Sequence, residues 1–264
     1  MRILIAAKHP PGGALKIGGV QSWCKTIGDE LKARGHDVRY WGPGQPIPLG
    51  GSDLGIIANA GDTQRAFDWC RKSITVSHGI IPAEKPPAGR MVVFTSEEVR
   101  DHWKGAGDII KQPLDLEFWQ PEQAKKIYLT RFSYRNGLDF VPSVAQCMDL
   151  EYIHLKNSEP EQVRDVLRQS AVALCTGRAA VEAMAVGVPV VICDHRRGYM
   201  PPLMDIDTLG SAARNYSGRG GIEPNMLNVL KACRDAIKTG SLRQHVIDNH
   251  DAESIAQQLL ENVV

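Results

Sequence analysis

The amino-acid sequence predicts an α/β protein built from two doubly wound, mostly parallel sheets. Three observations predict it. Apolar runs of strand length alternate with segments of helical periodicity from one end to the other. The runs are continuous rather than alternating, as in strands covered on both faces. The series also stops once near the middle of the chain and then restarts.

In the first half, strands are read at residues 3–7, 37–40, 54–58, 74–77 and 91–94, with a helix over 20–32. Ile3-Leu4-Ile5-Ala6-Ala7 and Leu54-Gly55-Ile56-Ile57-Ala58 carry no polar side chain, so neither face of those strands suits water. Thr95-Ser96-Glu97-Glu98 joins a capping hydroxyl to an acidic first turn and predicts a helix ending near Trp103. Gln112-Pro113 and Gln120-Pro121 then interrupt the periodicity over 111–122, where the domain boundary is placed.

The second half repeats the pattern, with strands at 126–129, 152–155, 171–175 and 188–193 and helices near 139–147, 161–168 and 178–186. A loop rich in Arg, Gly and Pro follows over 194–202, and helices near 225–239, 242–250 and 252–262 finish the chain. The expected architecture is two Rossmann-like domains facing across a cleft, over residues 1–115 and 116–250. Residues 251–264 are set apart as a C-terminal helix able to pack back on the first domain.

Composition narrows the function classes. With 264 residues there is enough chain for two small cores. Lys and Arg total 31 against 30 Asp and Glu, so no uniform field directs the chain to bulk nucleic acid or an acidic membrane. The six cysteines stand singly without C-x-x-C, which argues against a disulfide framework and for a reducing cytoplasm. The eight histidines fall at no ligand spacing and H-E-x-x-H is absent, so no metal site is expected. The apolar run at the N-terminus is too short for a signal peptide, and no stretch is long enough for a transmembrane segment.

Ligands of open α/β sheets bind outside the carboxyl ends of the strands, so the loops after each strand take priority. After the first strand, Gly18-Gly19 opens a helix, where unpaired N–H groups and the positive end of the helix dipole suit a phosphate or a sugar oxygen. Gly13 and Gly18 have Walker A spacing, but Gly19-Val20 stands where Lys and a hydroxyl residue are required. G-x-G-x-x-G is missing as well, which counts against a nicotinamide cofactor. His78 ends the fourth strand and can donate hydrogen bonds or carry charge near neutral pH.

In the second half, Arg131 follows the first strand and Arg135 comes just before Asn136-Gly137, a pair of guanidinium groups able to clamp a diphosphate. Gly177-Arg178 again stands at a helix start, and Glu182 one turn inside is a lone carboxylate among small and apolar residues that needs a partner, for which a ligand is a candidate. Asp205-Ile206-Asp207 has the spacing of a metal-binding pair but is read as chance, because it lies after the strands of the second sheet.

The arrangement resembles the GT-B glycosyltransferases, specifically the retaining family 4 enzymes. The resemblance lies in Gly18-Gly19-Val20-Gln21, in Leu31-Lys32-Ala33-Arg34-Gly35-His36-Asp37-Val38 and in the stretch from Val181-Glu182-Ala183-Met184 to Val191. Weaker echoes are Val76-Ser77-His78, Gln112-Pro113-Leu114-Asp115 and the segment 131–137. It implies transfer of a hexose or pentose from a nucleoside-diphosphate sugar, with no cofactor. The acceptor would be a saccharide, a lipid-linked saccharide or a modified nucleic-acid base. It further implies that Gly18 and Gly19 approach the donor phosphates and acceptor, and that His78 contacts the transferred sugar. Arg131 and Arg135 would neutralise the leaving diphosphate, with His78, Arg131 and Arg135 the catalytic set. Asn136, Gly177, Arg178 and Glu182 join the donor site, Glu182 on the ribose. Asn136 stands where the family has a Lys, so either Arg135 substitutes for that cation or the second cation is lost, and the family's other acid falls at Leu174. Other readings are a noncatalytic nucleotide-sugar-binding module and a nicotinamide-dependent oxidoreductase.

Overall fold

The structure is a computed structural model and describes residues 1–12, 18–46, 48, 50–58, 63–132, 138–156, 158–194, 203–219 and 221–263. The chain divides into two compact units, Met1–Pro113 with His250–Val264, and Leu114–Asn249.

Unit 1 holds strands β1 (Arg2–Ala6), β2 (Asp37–Trp41), β3 (Ser52–Ala58), β4 (Cys70–Ser77) and β5 (Val92–Phe94). Its helices are α1 (Gly19–Ala33) and α2 (Glu97–His102). All strand pairs are parallel, in the order β2-β1-β3-β4-β5. Alternate residues of the continuous apolar runs serve opposite faces. Ile3, Ile5, Leu54, Ile56 and Ile74 meet Trp23, Ile27 and Leu31 of α1, while Leu4, Ala6 and Ile57 meet Trp41, Ala66 and Phe67. β4 starts at Cys70, earlier than its apolar run, because Cys70-Arg71-Lys72-Ser73 pair through the backbone with β3 whatever their side chains. Ser96 accepts a hydrogen bond from Val99 N–H and caps α2 as expected.

Unit 2 holds β6 (Tyr128–Phe132), α3 (Val141–Gln146), β7 (Glu151–Leu155), α4 (Pro160–Arg168), β8 (Ser170–Cys175) and α5 (Arg178–Ala185). It continues with β9 (Val190–Asp194), β10 (Leu203–Asp205), α6 (Met226–Thr239) and α7 (Arg243–His250). The sheet order is β10-β9-β8-β6-β7, with β10 antiparallel at the edge and every other pair parallel. Counted along the chain, β6 to β9 repeat the winding of β1 to β4. Leu129, Val172, Leu174 and Val191 pack against α3 and α6, while Ala173, Cys175 and Ile192 pack against α4 and α5.

α8 (Ala252–Glu261) closes unit 1, where Ile255, Ala256 and Leu259 join the core against α1. Arg34 donates to Glu253 O and to Gln257 Oε1, both at 2.8 Å, tying the end of α1 to that helix. All six cysteines are free. Burial pushes the thiols of Cys24 and Cys233 up to about 12. No helix among the described residues is long and apolar enough to cross a membrane.

Candidate functional site

In a sheet wound this way the crevice opens where the chain leaves the first strand in one direction and the third in the other. In unit 2 that point is the carboxyl end of β6 and β8, which are neighbours. β6 runs to Phe132, so Arg131 lies within the strand rather than after it, in register with His154 of β7 and Leu174 of β8. The expected strand end near 129 is corrected on this point: the backbone ladder continues past the apolar residues. Arg131 is only 3% exposed, an arginine on the floor of a sheet. Arg135 and Asn136 lie outside the described residues.

β8 ends at Cys175, and Gly177 then turns the chain with φ 57° and ψ −133°, a conformation that only glycine adopts without strain. Its N–H donates to Tyr216 O at 3.0 Å, which fixes the start of α5 against the loop after β10. Arg178 is the first residue of α5. Its Nε donates to Glu182 Oε1 at 2.9 Å, with the two side chains 12% and 15% exposed. The partner that Glu182 needs is thus supplied by its own helix. Burial raises the Glu182 carboxyl above its ordinary range, against the pull of the Arg178 charge and hydrogen bond. Burial, the Glu182 charge and Cys193 together hold the Cys175 thiol well above its usual value, so it is no nucleophile.

In unit 1, Gly18 caps α1 with an extended backbone and donates its N–H to Gln21 Oε1 at 2.7 Å. Neither Gly18 nor Gly19 has a positive φ. A Cβ on Gly19 would meet no described atom within 4 Å, and one on Gly18 only Gln21 Oε1 at 3.8 Å. Neither backbone conformation nor packing within the described chain therefore requires glycine there, which leaves room for a group to come close to the backbone.

His78 follows β4, and its ring stands edge-on to Trp23 with centroids 5.2 Å apart. Although the residue is partly exposed, its Nε2 is buried and has no hydrogen-bond partner among the described residues, and the same holds for Trp23 Nε1. Burial pushes His78 from its ordinary 6.5 down to about 3, so the imidazole is neutral at pH 7. A neutral imidazole can hydrogen-bond but carries no charge. Thr95 Oγ1 donates to His78 O at 3.3 Å and Trp103 Nε1 to Gly79 O at 2.9 Å, which holds the turn. Trp23 and Trp103 beside His78 and Gly79, and in unit 2 Tyr216 beside Gly177, are contacts the sequence reading does not include. Trp23 falls on the apolar stripe of α1 and reads as core, and nothing local marks the other two.

The acidic pair at 205 and 207 is engaged in local contacts. Asp205 pairs with Arg214 and accepts from Asp207 N–H, and Asp207 accepts from Gly210 N–H. A cavity of about 490 Å³ is lined by Val190, Met204, Asp207, Lys231, Asp235 and Leu242. It opens at the amino end of β9, away from the carboxyl ends where such sheets bind ligands.

No family model matches this sequence, and no curated protein does. Solved structures do. Sucrose-phosphate synthase from Thermosynechococcus elongatus matches with TM-score 0.60 and 15% identity over 98% of this chain and 97% of that one. AviGT4, a glycosyltransferase involved in avilamycin A biosynthesis, matches with TM-score 0.55 and 15% identity over 99% and 96%. An alpha-glucosyltransferase in complex with UDP and a 13-mer DNA matches with TM-score 0.55 and 11% identity over 100% and 96%. The fold is that of the GT-B glycosyltransferases. At these identities the likeness is one of fold, and roles within the GT-B framework rest on this chain's own residues.

Proposed function

We propose that this protein is a glycosyltransferase that moves a sugar from a nucleoside-diphosphate sugar to an acceptor, with retention at the anomeric carbon and with side-chain cations doing the work a metal does elsewhere. The observation that carries the reading is the group at the strand ends of unit 2. Buried Arg131, the left-handed Gly177 and the Arg178–Glu182 pair gather at the point where an α/β sheet binds ligands, in a chain with the GT-B fold.

The bond that breaks joins the anomeric carbon to a phosphate oxygen. As it opens, the sugar gains oxocarbenium character and negative charge builds on the diphosphate, so stabilising that charge is the main task. Arg131 and Arg135 supply it, aided by the amides at the start of α5. Gly177, Arg178, Glu182 and Asn136 hold the donor, while Gly18 and Gly19 let donor and acceptor close on the backbone. Neutral His78 contacts the transferred sugar by hydrogen bonding. The acceptor is a saccharide, a lipid-linked saccharide or a modified nucleic-acid base.

The test is a thermal-shift screen of UDP, GDP, ADP and CDP, their sugar conjugates and NAD(P), each with and without Mg²⁺, followed by donor turnover. One nucleoside diphosphate should raise Tm without metal, because a ligand that binds only the folded state stabilises it. Stabilisation by NAD(P) alone would overturn the reading. Binding of a sugar nucleotide with no turnover against any acceptor or water would assign a noncatalytic binding module instead.

A further inference from the structure

We propose that the cavity of unit 2 between α6 and the loop after β10 is a binding site for a small amphiphilic amine, its apolar body seated in the cavity and its ammonium group on Asp207. The cavity lies at the amino end of β9, away from the strand ends assigned to the donor, and such a site stands without the glycosyltransferase reading.

Its volume of about 490 Å³ falls within the roughly 300–1,000 Å³ of small-ligand pockets, and a concave space built within one unit suits a small molecule better than the broad face of a protein partner. Ile206, Leu209 and Ile222 line it and are 77%, 44% and 47% exposed. Large apolar side chains left open around one cavity mark a place that binds something apolar. They stand on fixed backbone. Ile222 exchanges both of its backbone hydrogen bonds with Met204, at 2.7 and 2.9 Å. Asp205 accepts from Asp207 N–H at 3.0 Å, spanning Ile206, and Asp207 accepts from Gly210 N–H at 2.8 Å, spanning Leu209. The apolar rim is therefore in place before any ligand arrives, and binding costs little ordering.

The charges around the cavity select the head group. Its charged lining residues are Asp205, Asp207, Lys231 and Asp235. Asp205 is paired with Arg214, while Asp235 takes Lys231 at 2.7 Å and, from outside the cavity, the exposed Lys238 at 3.9 Å. Asp207 accepts from Gly210 N–H and has no ion-pair partner among the described residues. Its carboxylate is the lining charge left over, beside an apolar rim. An ammonium group is attracted there and a carboxylate head is repelled.

Calorimetric titration of the full chain at neutral pH with n-octylamine, n-octanol and octanoate, each below its micellar concentration, tests the assignment. Octylamine, an ammonium at that pH, should bind one molecule per chain and about fivefold more tightly than octanol, with octanoate weaker than either. Asp207→Asn, which keeps an oxygen for Gly210 N–H, should bring octylamine down to the affinity of octanol and leave octanol unchanged. Ala236→Leu adds carbon atoms at the cavity wall on a residue well suited to a helix, and should weaken octylamine and octanol alike by about tenfold or more. Thermal unfolding of each variant close to that of the wild type guards against a folding defect. Absence of saturable octylamine binding would overturn the proposal. Octanol or octanoate binding as tightly as octylamine would overturn the choice of an amine. Variants that bind octylamine like the wild type would show that it sits elsewhere and overturn the site. None of these results bears on the donor, so the glycosyltransferase reading is tested separately.

Discussion

Replacing His78 by Gln removes a titrating group whose behaviour in the fold differs sharply from its behaviour in the unfolded chain. Burial of the imidazole holds it down from 6.5 to about 3. Between those values the unfolded chain binds one proton more than the native one, so stability is full above pH 6.5 and is lost as pH falls toward 3. The slope is about 1.4 kcal/mol per pH unit, which makes the contribution at pH 5 about 2 kcal/mol less than at pH 7.5. His78→Gln lacks this contribution, while every other titrating group is common to both proteins. The assay is urea unfolding at pH 7.5, 6 and 5 followed by tryptophan fluorescence. Of the five tryptophans, Trp23, Trp41, Trp69 and Trp103 belong to unit 1, so the signal reports the unit that holds His78. The stability difference between wild type and variant should shift by about 2 kcal/mol in the variant's favour on going from pH 7.5 to 5. A difference that stays constant would refute the reasoning and show that the ring titrates in the fold as it does in water.

Three further outcomes follow from the site. Gly19→Ala should leave the fold as stable or raise stability by up to about 1 kcal/mol, since the new methyl enters open space in a helix, yet donor or acceptor affinity should fall; unchanged affinity would show that no group approaches there. Gly177→Ala should lower stability by about 1–3 kcal/mol, because φ 57° with ψ −133° strains any residue with a Cβ, and denaturation with and without the bound diphosphate would show whether the site loosens too. Arg131→Lys keeps the buried charge but not the planar fork, so kcat should fall by about a hundredfold with KM little changed. Steady-state kinetics showing full turnover would remove Arg131 from catalysis.

Much of this fold can be read from local chemistry. Strands without a polar side chain, such as Ile3 to Ala7, can only be covered on both faces. Glycines at 18, 19 and 177 stand just ahead of or at helix starts because the apolar periodicity begins there. The candidate site was legible to the same extent: Gly177 directly precedes the helix that carries Arg178 and Glu182, so their grouping follows from spacing alone. Segments whose pairing depends on the backbone were not legible. β10 is an edge strand recognised only by its antiparallel ladder with β9, and β6 continues through Arg131 because two neighbouring strands hydrogen-bond to it.

The sequence by itself thus determined the alternation of strands and helices, the repeated winding and the helix starts that glycine precedes, since each follows from the periodicity and conformational freedom of adjacent residues. Tertiary structure alone decided which charges are used up and which groups can ionise. Whether His78 is charged depends on how deeply its ring is buried where it lies against Trp23, on a helix far away along the chain. The state of Glu182 likewise depends on how deeply α5 is buried as well as on the neighbouring Arg178. Desolvation is a property of everything packed around a group, and no window of sequence contains it.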